Sequence, residues 1–177
     1  MKIIATEALH DGHPPVSRHL VEFDDGRRRH WVSLDFPDGA AVVALTRERK
    51  VVLTRQHLVG GEPSHVLPGG VAHAGETFEE TARRELREET GYAAGPLEYL
   101  FRYANLPAYA RGVVHLYLAL DVEPGPAEPA PLEVERVDLF DLEEAATMAA
   151  RGAFLMSSTA MAVLAVQRIL AERGLLR

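Results

Sequence analysis

The chain has 177 residues, of which 47% are hydrophobic and 25% are charged, and its formal net charge is −7. These values are typical of one globular domain with room for a small extension. The negative charge disfavours a protein that mainly binds nucleic acid, because that function requires a basic surface. No cysteine is present, which excludes disulfides and thiolate metal sites and suits a reducing cytoplasm. No apolar run approaches the ~20 residues that cross a membrane.

The first third of the chain is predicted to form short strands. Turn signals rich in Gly, Pro and Asp stand at residues 12–15, 24–26 and 36–39. Around these turns, strands are expected at residues 1–11, 16–24, 28–34, 40–45 and 51–56. The last two are rich in Val and Leu, which predicts central, buried strands.

A loop and then a helix are predicted in the middle of the chain. Residues 58–75 are rich in Gly, Pro and His, and such long loops are usually functional in a compact domain. A helix is expected to begin at Thr77, which forms a capping box with Glu80, and to end at Gly91. Beyond it we predict strands at residues 97–103, 113–122 and 134–140, a stiff loop at 123–131, and helices from about 142 and at 157–173.

Three acids of the predicted helix share one face. Glu85, Glu88 and Glu89 are spaced i, i+3 and i+4, so their like charges gather and repel. A hard divalent cation with oxygen ligands would offset that repulsion. Taken alone, the helix is more typical of a solvated face, because Arg84 makes ordinary i, i+4 pairs with Glu80 and Glu88.

The residues around the helix favour the metal-binding interpretation over the solvated face. A fixed series follows Gly70: Glu76, then Arg84-Glu85-Leu86, then Glu88-Glu89, then Gly91-Tyr92. This series resembles the Nudix box at every defined position, and the preceding Leu-Pro-Gly-Gly at residues 67–70 is also similar to that family. The resemblance implies an α+β Nudix fold, an α/β/α sandwich with a mixed β-sheet and extra N-terminal strands. We therefore expect a β-strand extension at residues 1–39 and a Nudix hydrolase domain at residues 40–177.

The resemblance implies a role for each matching residue. The ligands of Mg²⁺ or Mn²⁺ would be the carboxylates of Glu85, Glu88 and Glu89, joined by the carbonyl of Gly69. Arg84 would orient the carboxylates, Glu76 would tie the loop to the helix, and Gly70 would allow their close approach. The metal would lower the pKa of an attacking water, and a carboxylate would take its proton.

The identity of that base differs among Nudix subfamilies. It would be Glu85 itself or an acid on a distant loop. The distant candidates are Glu128, Glu133 and Glu135, of which Glu133 is favoured. For any one of these three, an ordinary surface acid is the commoner role.

Single residues beyond the box indicate which class of substrate the enzyme would hydrolyse. Pro107 lies fifteen residues after Tyr92 and resembles the proline marker of ADP-ribose pyrophosphatases. Tyr109 lies seventeen residues after Tyr92 and resembles the tyrosine marker of dinucleoside polyphosphate hydrolases. Arg55 and the extra N-terminal strands resemble the ADP-sugar group, whose members commonly form homodimers.

Two further residues are candidates for substrate contact. Trp31, the only tryptophan, would stack on the nucleobase if the N-terminal strands reach across a dimer. Its commoner role is packing within its strand pair, since large aromatic side chains chiefly bury apolar area. Arg111 would grip a phosphate or a sugar, although a solvated surface is the commoner role for such a residue.

The leading hypothesis is a metal-dependent hydrolase that cleaves ADP-ribose or another nucleoside diphosphate sugar into a nucleoside monophosphate and a sugar phosphate. An alternative enzyme would act on dinucleoside polyphosphates or nucleoside triphosphates, and the negative charge disfavours an RNA pyrophosphohydrolase. A non-catalytic Nudix ligand sensor or regulator is the alternative of another class, against which the intact box argues. The expected partners are a small nucleotide and a second copy of the chain, without nucleic acid or membrane.

Overall fold

A computed structural model describes residues 1–58, 61–125 and 134–176. Within these ranges the predicted strands and helices are present in order. The strands are β1 (Lys2–His10), β2 (Val16–Glu22), β3 (Arg28–Asp35), β4 (Gly39–Ala44), β5 (Lys50–Gln56), β6 (Ser64–Val66), β7 (Gly69–Val71), β8 (Tyr92–Ala93), β9 (Leu97–Tyr103), β10 (Ala110–Arg111), β11 (Val114–Ala119), β12 (Glu123–Pro124) and β13 (Val134–Asp141). The helices are α1 (Phe78–Thr90), α2 (Leu142–Ala150) and α3 (Ser157–Glu172). The short strands β6, β7, β8, β10 and β12 are additional to the predicted elements.

These elements belong to two compact units. Unit 1 contains Met1–Asp38 and Tyr103–Val114, and unit 2 contains Gly39–Arg102 and His115–Arg177. Unit 1 holds a sheet of order β1-β2-β3-β10, in which β3 and β10 are parallel and the other pairs are antiparallel. In unit 2 the strand orders are β7-β4-β11-β9, β13-β5-β6 and β12-β8.

The central strands of unit 2 are covered by helices on both faces. All residues of β4 are buried, as expected for a strand with a helix layer on each side. Ala40, Val42 and Ala44 pack in one core with Ala82 and Leu86 of α1. On the other side, α2 and α3 pack on each other and contact β5, β13 and β4.

Among the described residues, no helix is both long and apolar enough to span a membrane.

The ends of α1 lie where the sequence predicts them. The Thr77 hydroxyl accepts a hydrogen bond from the Glu80 amide at 3.2 Å, and the Glu80 carboxylate accepts one from the Thr77 amide at 2.8 Å. The helix ends at Gly91, whose φ of 73° is a left-handed conformation that favours glycine. Both predicted capping features are therefore confirmed.

The predicted loop at residues 58–75 was wrong in part, because it contains two short strands. Ser64–Val66 pairs antiparallel with β5, and Gly69–Val71 pairs antiparallel with β4. The glycines that indicated a loop serve this pairing: a Cβ on Gly69 would lie 2.6 Å from the backbone oxygen of Ala40. Glycine is required here because two backbones approach too closely for a side chain.

Candidate active site

The acids of α1 and the glycines of β7 face each other. We call Glu85, Glu88 and Glu89 the carboxylate cluster: Glu85 and Glu89 lie against β7, and Glu88 is joined to Glu85 through Arg84. A Cβ on Gly70 would overlap the carboxylate of Glu85. The absence of a side chain at Gly70 therefore leaves room for the Glu85 carboxylate against the backbone of β7.

Arg84 connects the carboxylate cluster to the preceding loop. Its Nε and Nη2 donate to the two oxygens of Glu76 at 2.8 and 3.0 Å, in the paired geometry that suits a guanidinium. Its Nη1 donates to Glu85 at 2.7 Å and to Glu88 at 3.1 Å, and its Nη2 also donates to the backbone oxygen of Val71 at 3.1 Å. Hydrogen bonds to Glu76 above all raise the pKa of Arg84, so the group stays charged.

Glu76 is held as a carboxylate between the loop and α1. It accepts hydrogen bonds from Arg84, from the His73 amide at 2.9 Å and from the Thr81 hydroxyl at 3.0 Å. These bonds, that of Arg84 first, lower the pKa of Glu76 to about 2. The loop before α1 is thus fastened to the helix by one ionised side chain.

Glu89 has a different environment from the other two members of the cluster. It is 6% exposed, and its oxygens accept hydrogen bonds from the Gln56 side-chain amide at 3.3 Å and from the Gly69 N–H at 3.2 Å. Two of its partners therefore lie on β5 and β7, whereas Glu85 and Glu88 both accept hydrogen bonds from Arg84 of their own helix. The structure brings Gly69 to Glu89 through its N–H, and ligation by its carbonyl stays a prediction.

The residues of this site fit a hard divalent cation by their chemistry. Among the described residues, no three His, Asp or Glu side chains are gathered closely enough to hold a metal ion as they stand. The physical reason is that the guanidinium of Arg84 lies between Glu85 and Glu88, while Glu89 points to partners on β5 and β7. Three carboxylates on one face, beside the space that a Cβ at Gly70 would fill, are nevertheless a donor set of the type that Mg²⁺ prefers.

The candidate bases differ in how far the structure describes them. Glu85 lies in the cluster, next to Arg84. Glu135 forms ion pairs with Arg55 at 3.2 Å and with Arg136 at 3.4 Å, and its carboxylate lies 3.7 Å from the His57 ring nitrogen Nε2. The favoured candidate Glu133 and the alternative Glu128 lie outside the described residues. The assignment of the base therefore stays a prediction.

Four of the five predicted substrate contacts lie together in unit 1. The indole N–H of Trp31 donates to the backbone oxygen of Ala108 at 3.0 Å, between Pro107 and Tyr109. The backbone oxygen of Tyr109 accepts from the Leu34 amide at 2.7 Å, and β10 brings Arg111 beside β3. The fifth, Arg55, belongs to unit 2.

A network of polar side chains in unit 1, of which His19 and Ser33 are buried, was not predicted. We call Ser17, His19, Ser33 and Asp35 the unit 1 network. His19 and Ser33 are in contact at 2.8 Å, and both Ser33 and Ser17 donate to Asp35, at 2.8 and 2.6 Å. These two serine hydrogen bonds, that of Ser17 first, lower the pKa of Asp35. Arg111 lies 3.5 Å from the Asp35 carboxylate.

The contact of Gln56 with Glu89 was also missed by the sequence analysis. The alternation of a strand places Thr54 and Gln56 on the same face of β5, which was the available signal. Which face of β5 meets α1 is decided by tertiary packing, and residue spacing within the strand does not predict it.

Comparison with known protein families gives a match over most of the chain. Residues 35–168 match the NUDIX domain. The "methanol dehydrogenase activator" of Bacillus methanolicus is 34% identical over 143 residues, which are 80% of this chain and 77% of that protein. The "ADP-ribose pyrophosphatase" of Bacillus subtilis (strain 168) is 36% identical over 100 residues, 56% of this chain and 54% of that protein.

A further relative and a solved structure, both named for the hydrolysis of ADP compounds, are also similar to this chain. The "ADP compounds hydrolase NudE" of Escherichia coli (strain K12) is 30% identical over 117 residues, 63% of each chain. The crystal structure of an "ADP compounds hydrolase" superposes with a TM-score of 0.84, covering 99% of this chain and 96% of that one at 23% identity. This structural likeness confirms the predicted α+β fold.

Proposed function

Because the chain belongs to the NUDIX family and is a pyrophosphohydrolase of that family, we propose that it cleaves ADP-ribose or another nucleoside diphosphate sugar. The products are a nucleoside monophosphate and a sugar phosphate. The observation that carries this proposal is the complete set of box residues, with Arg84 joining Glu76, Glu85 and Glu88 beside Gly70. Relatives named for ADP-ribose and for ADP compounds support the substrate class.

Hydrolases of this family generally need a divalent metal ion, and we propose Mg²⁺ or Mn²⁺ here. Glu85, Glu88 and Glu89 would hold it, with the carbonyl of Gly69 as a further ligand. When bound, such an ion neutralises phosphate charge and lowers the pKa of an attacking water.

The chain's own groups prepare the site for that ion. Arg84 restrains the carboxylates of Glu85 and Glu88, and Glu76 restrains Arg84 from the loop side. We propose that Glu133, or else Glu85 or Glu135, accepts the proton of the attacking water.

We assign substrate recognition to residues that lie apart in the sequence. Trp31, Pro107, Tyr109 and Arg111 are gathered in unit 1 by β3 and β10. A tryptophan offers a flat face for a nucleobase, and an arginine offers a fork for a phosphate or carboxylate. Arg55, paired with Glu135, is the proposed contact from unit 2.

We propose that residues 1–39 form an extension of the hydrolase domain and that they build a homodimer. All nine residues of β1 are exposed, and among the apolar ones Ile3 and Leu9 are each 48% exposed. Exposed apolar side chains on a sheet favour association with another protein surface. Sedimentation velocity at micromolar concentration should give the mass of two chains, and a single-chain mass would refute the dimer.

A chain without cysteine also suits a cytoplasmic location, which we propose.

A substrate panel tests the proposed reaction. The panel holds ADP-ribose, other ADP-, GDP- and UDP-sugars, diadenosine polyphosphates and nucleoside triphosphates, each with Mg²⁺. Released phosphomonoester is converted to inorganic phosphate by alkaline phosphatase and measured. We expect the highest kcat/KM for an ADP-sugar. Preference for a dinucleoside polyphosphate or a triphosphate would replace the proposed substrate class with the corresponding alternative.

A further inference from the structure

A chain of hydrogen bonds runs from the backbone of β6 to the carboxylate cluster. Thr54 is fully buried. Its hydroxyl donates to the backbone oxygen of Val66 at 3.2 Å. The side-chain amide of Gln56 contacts the Thr54 hydroxyl oxygen at 3.1 Å and the Glu89 carboxylate at 3.3 Å. Strand β5 therefore reaches the last member of the cluster through two side chains.

The partners of Gln56 determine which way its amide points. A threonine hydroxyl has a single hydrogen, and here that hydrogen is directed to Val66. The Thr54 oxygen is then an acceptor, and the Glu89 carboxylate is an acceptor as well. Only the NH₂ group of Gln56 can satisfy both, so Thr54 fixes the amide in the orientation that donates to Glu89.

Glu89 is held from outside α1, unlike its neighbours in the cluster. Glu85 and Glu88 are both held by the charged Arg84. Glu89 is held at one oxygen by Gln56 and at the other by the Gly69 N–H. Gln56 is thus a side-chain donor that keeps the buried Glu89 carboxylate in a defined direction.

We propose that Gln56 is a positioning residue for Glu89, and that Thr54 acts through Gln56 by fixing its amide. This inference rests on the proposed function, in which Glu89 is a ligand of the divalent cation. Outer groups that hydrogen-bond to a ligating side chain fix its orientation, and their loss typically weakens metal binding. The position of Glu89 therefore depends on β5, outside the box sequence.

Binding of Mn²⁺ alone, without substrate, tests this role. Free Mn²⁺ is measured by its electron paramagnetic resonance signal during titration of the full-length protein. The variant Gln56→Met keeps the length of the side chain and removes its donors, and we expect roughly tenfold or greater weakening of Mn²⁺ binding. The matched control is Gln167→Met, which removes a similar contact at 3.3 Å between a glutamine and Glu143, remote in sequence from the box. The control should bind Mn²⁺ as the wild type does.

Two threonine variants test the second step of the chain. Thr54→Val removes the hydroxyl while keeping the shape, and it should weaken Mn²⁺ binding less than Gln56→Met does. Thr54→Ser retains a hydroxyl and should restore binding, which a role in packing alone would not predict. Gln56→Asn, whose amide is one methylene too short to reach Glu89, provides a second test should Gln56→Met fail to fold.

The outcomes separate this inference from the function on which it rests. Wild-type protein that binds Mn²⁺, together with folded Gln56 variants of unchanged or tighter affinity, overturns the positioning role alone. Wild-type protein that neither binds Mn²⁺ nor hydrolyses any member of the substrate panel overturns the proposed function. Weakened binding in both Gln56 variants, with the Gln167 control unchanged, supports the inference.

Discussion

The carboxylate cluster of unit 2 and the unit 1 network are both polar, but they are built in different ways. The cluster and its Arg84 come from six consecutive residues of one helix. The network joins Ser17 and His19 of β2 to Ser33 and Asp35 of β3. The cluster gathers like charges, which a cation would offset, whereas the network surrounds its single carboxylate, Asp35, with the hydroxyls of Ser17 and Ser33 and with Arg111. From this difference we propose that the cluster serves binding and catalysis and that the network serves stability.

The largest expected effect is the loss of activity when one acid of the cluster is neutralised. In Glu88→Gln the charge is removed and the size is kept, and we expect kcat to fall roughly a hundredfold or more, the scale for one well-placed electrostatic group. Melting temperature should change little, because Glu88 is partly exposed. The matched control is Glu79→Gln on the same helix, which pairs with Arg83. Equal losses of activity in both variants would contradict a special role for the cluster.

The two glycines of β7 should separate activity from stability. In Gly70→Ala the new Cβ meets the end of the Glu85 side chain, which can move, so we expect a folded protein whose kcat is lower by about tenfold to a hundredfold. In Gly69→Ala the Cβ meets the backbone of β4, so unfolding free energy should fall by about 1–3 kcal/mol.

Gly95→Ala is the control for both glycine variants, because a Cβ there meets no atom within 4 Å. Kinetics and urea unfolding of the three proteins provide the comparison. Full activity in Gly70→Ala would show that the position of Glu85 is not important for turnover.

Substitution in the unit 1 network should lower the unfolding free energy and leave kcat nearly unchanged. Ser33→Ala removes the buried hydroxyl that contacts His19 and donates to Asp35, and we expect a loss of about 1–3 kcal/mol in unfolding free energy. The kcat at saturating substrate should stay close to that of the wild type. Ser157→Ala, at an exposed position, is the control and should change stability by less than about 0.5 kcal/mol. A kcat loss in Ser33→Ala comparable to that of Glu88→Gln would remove the distinction between the two regions.

The smallest expected effect is the pH dependence that Glu76 contributes. Because Arg84 and the His73 amide lower its folded-state pKa to about 2, from an ordinary value of 4.5, the carboxylate stabilises the fold above pH ~4.5. That contribution is lost as the pH falls from about 4.5 toward 2. Glu76→Gln should therefore lower the melting temperature at pH 7 by more than at pH 3. Differential scanning calorimetry at the two pH values measures this, and an equal difference at both would contradict it.

The sequence predicted features that depend on local spacing. The strands, the ends of α1 at Thr77 and Gly91, the face shared by Glu85, Glu88 and Glu89, and the family itself all follow from periodicity or from fixed spacings. The family and the fold are confirmed. The roles of the individual site residues stay predictions.

Features that depend on strand register were not accessible to the same reasoning. The segment that contains β6 and β7 has the composition of a loop, because the glycines around these strands have the same signature in a turn and in a close backbone approach. The unit 1 network requires the pairing of Ser17 with Ser33, and the contact of Gln56 with Glu89 joins residues 33 apart. A single sequence does not specify which strands pair or which face meets a helix.

The most direct test of the central claim is a crystal structure of the protein grown with Mn²⁺, with anomalous diffraction recorded to locate the metal. We expect anomalous peaks within ligand distance of Glu85, Glu88 and Glu89, with the Glu88 carboxylate released from Arg84 to reach the ion. If crystals of protein that is active with Mn²⁺ show no peak at the carboxylate cluster, and Arg84 still bridges Glu85 and Glu88, the metal site is not built by these three residues.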